Sequence, residues 1–147
     1  MGIRVKFDKI ADNVSKELQQ MTLLVASNIL SYVGEESVNE ARKLGNYTDR
    51  TGNLRSSIGY AVTVEGRTEY GELQQVKQGA QGCAEGKTHL QELASQRQGD
   101  VALHIVAGMD YAEYVERNYK VLSPARVLAD REVPAMLDMS GLKYKKI

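Results

Sequence analysis

Two histidines, one cysteine and a few acidic side chains beside predicted turns are the residues of this 147-residue chain that could carry chemistry. His89 and His104 are the only side chains that titrate near neutrality without a perturbed environment, so they are the candidate acid–base groups. His104 falls inside an alternating run and His89 inside a Gln- and Gly-rich stretch, where a surface or half-buried imidazole is the simpler reading. Cys83, His89, His104 and Asp110 contain the right atoms for zinc, but their spacing matches neither C-x-x-C nor H-E-x-x-H. Asp49 and Asp110, each next to a predicted strand end, could be imagined as a glycosidase-like carboxylate pair. Asp at turns has a commoner reason, its hydrogen bonds to the local backbone. G-x-S-x-G, Walker A and G-x-G-x-x-G patterns are all missing. The expectation is a non-enzyme with no catalytic, cofactor-binding or metal-binding residues.

The most distinctive stretch, YTDRTGNLRSSIGY at 47–60, reads as a corner that turns a helix into a strand. Asp49 can cap or form an Asx turn, Thr51 can cap a single helical turn, and Gly52 can take positive φ. Leu54 then enters the core, leaving Arg50 and Arg55 available to partners.

The elements that must position this corner follow from hydrophobic period. Ile10, Val14 and Leu18 predict a one-sided helix over 8–20, and Met21, Val25, Ile29, Tyr32 and Val33 predict a long helix over about 20–44. Gly34 marks a kink or a close contact, and Gly45-Asn46 a stop. The apolar run 21–33 contains Thr22, Ser27, Asn28 and Ser31 and is shorter than the ~20 residues a bilayer requires, so it is read as a buried helix face and no membrane partner is expected. Period-two alternation at 58–64 and again at 101–109 predicts two antiparallel strands. The intervening 65–100, rich in Gln and Gly, reads as a flexible insertion with a short helix at 88–97. Tyr111, Tyr114, Val115 and Asn118 form one stripe of a two-turn helix. Ser123 and Pro124 then open a C-terminal helix with Val127, Leu128, Met136 and Leu137 on its apolar face, split or kinked at Pro134. Residues 140–147 read as a frayed tail.

The fold class is therefore α+β, one domain over 1–147. A long N-terminal helix packs on a small antiparallel sheet with a long inter-strand insertion and C-terminal helices. Two strands do not make a stable sheet, so residues 3–7 and part of the insertion must add strands or neighbouring subunits must complete it. Lys plus Arg equals Asp plus Glu at 19 each. That balance lacks the basic footprint of a dedicated nucleic-acid binder and removes self-repulsion between copies. Lys143, Lys145 and Lys146 in the tail leave room for weak contact with packaged DNA, and no specific nucleic acid is expected. A single cysteine excludes an intramolecular disulfide framework, and no apolar leader segment is visible at the start, so synthesis inside a cell is the simpler expectation.

Two blocks of residues resemble a known family. Asp49, Thr51, Gly52, Leu54, Arg55, Ser57 and Ile58 match a D-T-G-x-L-R-x-S-I pattern. Gly108, Tyr111, Ala112, Tyr114, Val115 and Glu116 follow V-G-x-x-x-x-Y-A-x-Y-V-E with two fewer residues between the glycine and the tyrosine and Ala107 in place of the valine, and Pro124-Ala125-Arg126 is a looser third match. Over residues 20–139 the chain is similar to the gene-product-ten-like family of tailed bacteriophages and prophages, small head-tail joining, neck or tail-completion components. It departs from that pattern by the insertion of Arg50, by Arg117-Asn118-Tyr119 in place of an aromatic-Gly-Thr, and by the length of 65–100. The resemblance implies a non-catalytic virion subunit, assembled in a bacterial host cytoplasm and located at the neck or tail. Its expected partners are its own copies in a ring and the adjacent connector and tail proteins. Arg50, Arg55, Glu116 and Arg117 are the candidate interface residues.

Overall fold

The computed structural model describes residues 1–8, 15–44, 46–96 and 99–146. The alternating runs form strands β2 (Ile58–Val64) and β4 (Val101–Ala107), antiparallel in a register that sets Tyr60 opposite Ile105 and Ala61 opposite His104. Strand β1 (Gly2–Asp8) lies on the other side of β4, with Ile3 opposite Ile105 and Arg4 opposite His104. Strand β3 (Arg67–Leu73) follows β2 through a two-residue turn in which Glu65 and Gly66 both have positive φ, 50° and 86°, the geometry that matches strand twist. Strand β5 (Lys145–Lys146) completes the order β3-β2-β4-β1-β5. The sheet is thus completed within one chain by residues near the start and by the insertion. A shortage of strands is no reason for copies to associate.

Helix α1 (Lys16–Leu44) crosses one face of the sheet and α3 (Ala80–Ser95) the other. This explains why β2 and β4 are buried on both faces along almost their whole length. On the α1 face Ile58, Tyr60, Val62, Leu103 and Ile105 join Leu30 and Val33 in the main core. Gly34 is the close contact: a Cβ there would lie 2.6 Å from the Tyr60 ring and 2.8 Å from Leu103. On the small-residue face Ala61 and Val106 meet Leu90, Leu73 and Leu93.

The insertion 65–100, expected as a flexible arm, is an edge strand followed by a helix of 16 residues, longer than the expected 88–97. Its glycines serve close packing. A Cβ on Gly82 would lie 1.9 Å from the Asn53 carbonyl oxygen, and one on Gly86 would lie 2.6 Å from that of Ser57. Residues Arg97 and Gln98 lie outside the described residues, as do 9–14. Of the expected helix over 8–20, Asp8 ends β1, residues 16–20 begin α1, and Ile10 and Val14 lie outside the described residues. Gly45, the expected stop, is also outside them.

Helix α4 (Ala112–Tyr119) buries only Ala112, so the Tyr111 and Tyr114 stripe faces outward. Helix α5 (Ser123–Met139) runs through Pro134 without splitting and packs along α1. Its buried residues are Ala125, Ala129, Val133 and Leu137, while the expected core residue Val127 is 65% exposed. The described part of the expected frayed tail returns to the sheet. Lys145 and Lys146 pair with Asp8 and Phe7, and the Tyr144 ring sits edge-on to Phe7 at 5.3 Å.

Candidate functional site

The corner is a single helical turn, α2 (Asn53–Ser56), entered through Gly52 at φ +80°. A side chain at Gly52 would place Cβ 2.1 Å from the Val76 carbonyl oxygen, so glycine is required both by conformation and by space. The Thr51 hydroxyl accepts from the Asn53 amide at 3.2 Å. Asp49 is buried, and its carboxylate accepts from the Arg55 amide at 3.0 Å while the Arg55 guanidinium stands 3.8 Å away. Lys77 donates to the Asp49 carbonyl at 3.0 Å. Leu54 is buried as expected.

The insertion is stitched to this turn. The Ser56 hydroxyl accepts from the Val76 amide at 2.7 Å, and the Asn53 side-chain oxygen accepts from the Gly82 amide at 3.1 Å. Arg42 of α1 donates to the Ile58 carbonyl at 2.7 Å, and Arg55 donates to the Arg42 carbonyl at 3.2 Å while its guanidinium lies 4.8 Å over the Tyr47 ring. Burial lowers the Arg42 guanidinium and pushes the Tyr47 hydroxyl up to about 12, so Tyr47 remains a neutral phenol.

The second block docks on the first. The Gly108 amide donates to the Ser57 carbonyl at 3.1 Å, and a Cβ on Gly108 would lie 2.5 Å from the Gly86 amide nitrogen. Burial, and after it the Asp49 charge, raise the Tyr111 hydroxyl above its usual range. Tyr111, Tyr114 and Tyr119 are 43, 69 and 51% exposed, so α4 presents aromatic surface next to the corner.

The four expected interface residues divide. Arg50 is exposed, and Arg117 is exposed with Glu113 at 3.4 Å as its pair. Arg55 holds the corner together from within. Glu116 also serves the fold: its carboxylate accepts from the amides of Val121, Leu122 (2.6 Å) and Ser123 (3.1 Å) and from the Ser123 hydroxyl. The start of α5 is thus capped by a carboxylate from α4, where Ser123 itself was the expected cap. Burial pushes this carboxyl up, but those hydrogen bonds outweigh it and hold it below the usual carboxylate range.

The residues considered for chemistry are dispersed. His104 is fully buried between Arg4, whose Nε donates to its Nδ1 at 3.1 Å, and the Thr63 hydroxyl at 3.0 Å. His89 stands on α3 with Glu92 at 3.5 Å, and Asp110 is exposed. Among the described residues no group of three His, Cys, Asp or Glu could hold a metal ion. Two open clefts of about 340 Å³ lie apart from the corner. One is between β3 and α3, lined by Ala61, Leu73, Lys87 and Leu90, and the other is between α1 and α5, lined by Glu40, Pro124, Val127 and Arg131.

The outer side of α1 is apolar and open to solvent. The run 21–33, read as a buried face, is exposed at Met21, Leu24, Val25 and Tyr32 and buried at Ala26, Ser27, Leu30 and Val33. The helix has two apolar sides, and a single broad stripe drawn through both conceals the outer one. Among the described residues no helix is long and apolar enough to cross a membrane. Comparison with protein-family models, curated proteins and solved structures finds no significant match for the chain.

Proposed function

We propose that the chain is a structural virion protein of a tailed bacteriophage or prophage, a ring-forming subunit of the head-tail connector or tail terminus that bridges neighbouring connector and tail proteins. The observation that carries this is the meeting of the two sequence blocks that resemble such subunits. They are distant in the chain, yet Ser57 and Gly108 are hydrogen-bonded at 3.1 Å, and each block carries exposed residues on its rim, Arg50 in the first and Tyr111, Tyr114 and Arg117 in or beside the second. Asp49, Asn53, Arg55 and Ser56 are hydrogen-bonded within the corner and to the elements beside it, which suits a rigid mount better than a reaction centre. Exposed aromatic and aliphatic side chains on α1 and α4 supply the kind of surface that subunit contacts cover.

The test is where the protein sits and how it associates. Purified particles from a producing host should contain it, and cryo-electron microscopy should resolve it as a ring between head and tail. Density elsewhere in the particle would make it instead a minor capsid or other tail protein. A strictly monomeric protein absent from purified particles would end the proposal. Arg50→Glu combined with Arg117→Glu should weaken assembly while leaving the thermal midpoint within about 2 °C of the parent, because both side chains lie outside the core.

A further inference from the structure

Leu18 to Gly34 is a run of 17 residues without a charged side chain, and the fold buries only one side of it. Leu18, Met21, Leu24, Val25 and Tyr32 are 54, 63, 55, 42 and 57% exposed. No residue from Lys16 to Val25 is buried, so the first turns of α1 receive little of the tertiary packing on which short helical segments depend. Leu18, Met21, Val25, Asn28 and Tyr32 follow one another at steps of three, four, three and four, a heptad seam about 21 Å long at 1.5 Å per residue. Such spacing fits the knobs of another helix better than a flat surface.

What covers the seam is narrowed by charge. Lys16 is the sole basic residue of α1 before Arg42, whereas helices that lie on lipid surfaces carry Lys and Arg along their polar side. A charged partner finds nothing to pair with between Leu18 and Gly34. A second uncharged heptad stripe does fit, and the zero net charge of the chain opposes no approach of one copy to another. Asn28, the central seam position, is exposed, and its side-chain oxygen accepts from the Tyr70 hydroxyl at 2.8 Å, so β3 borders the seam there.

We propose that this stripe is a helix–helix seam along which α1 of one copy packs on α1 of a second copy. Both copies use the same stripe, so the contact is two-fold. It pairs subunits or stacks rings, whereas contacts around a ring join two different faces. The inference deepens the assembly proposed above and rests on it for the context in which copies meet.

The test compares the full chain with Met21→Glu combined with Val25→Glu by size exclusion with light scattering, circular dichroism confirming equal helix content. The expected result is a particle mass that falls at least two-fold in the double variant. Val25→Cys in a Cys83→Ser background should form a disulfide-linked dimer on mild oxidation. A parent dimer that is lost in the double variant supports the seam even where rings are never seen, and so separates it from the ring. A parent ring of unchanged mass in the double variant, with no cross-link, overturns the seam and leaves the ring standing. A parent that is monomeric and floats with neutral phosphatidylcholine vesicles also overturns it, in favour of lipid as the occupant.

Discussion

His104 is neutral in the folded chain because it is sealed between β1 and β2. The Nε of Arg4 donates to its Nδ1, so that nitrogen carries no proton, and the other ring nitrogen donates to the Thr63 hydroxyl. Burial lowers its pKa from 6.5 to about 4, with the positive charges of Arg4 and Lys6 adding to the effect. The unfolded chain therefore takes up this proton first, and the stability that neutral His104 permits is complete above about pH 6.5 and is lost as pH falls toward 4. The loss is about 3 kcal/mol over that interval. Urea unfolding across pH 4 to 7 should show it in the parent and a flatter profile in His104→Gln; equal slopes would show that other groups govern the acid limb. At the same scale, Gly82→Ala forces a Cβ into the Asn53 carbonyl at 1.9 Å and should cost about 2–3 kcal/mol. Thermal unfolding measures it, and a change within 0.5 kcal/mol would mean that α3 does not seat on α2 this closely.

At the scale of elements, legibility in the sequence follows how many constraints an element obeys. Strands β2 and β4 are legible because both are apolar and alternate, strictly in β2 and more loosely in β4, where His104 and Val106 stand on the face that carries small residues in β2. The corner was readable because Gly52, Leu54 and Asp49 each have one local task. Strand β3 was not, since RTEYGEL lies on an edge, exposed on most of its length, and carries no burial pattern. Helix α3 is legible only from residue 88 onward because the glycines of its first half weaken helix propensity, and only tertiary contact with Asn53, Ser57 and Gly108 explains them. Glu116 was placed at an interface because its partners are provided by the next helix, a relation that no local spacing announces. Glu116→Ala should cost about 2 kcal/mol by leaving the first amides of α5 without an acceptor, and Glu116→Gln should recover part of it. Chemical denaturation is the measurement. An Ala variant as stable as the parent would return Glu116 to the surface.

For the whole molecule, the balance of 19 basic and 19 acidic residues and the uncharged stretch Leu18–Gly34 of α1 together bear on which force would drive the association we propose. Contacts made by charges on the rim, such as Arg50 and Arg117, weaken as salt shortens the Debye length from about 10 Å at 0.1 M to about 3 Å at 1 M. An apolar seam responds in the opposite way: sulfate strengthens it and cooling weakens it, since apolar burial near room temperature is driven by entropy. With the α1 seam as the main contact between paired copies, light-scattering mass should hold between about 0.05 and 0.5 M sodium chloride. It should rise in sulfate and decline on cooling from about 25 to 5 °C. The Met21→Glu, Val25→Glu variant should lose the temperature dependence along with the mass. A mass that collapses with added chloride and is indifferent to cooling would move the proposed contact from the α1 seam to the Arg50 and Arg117 rim.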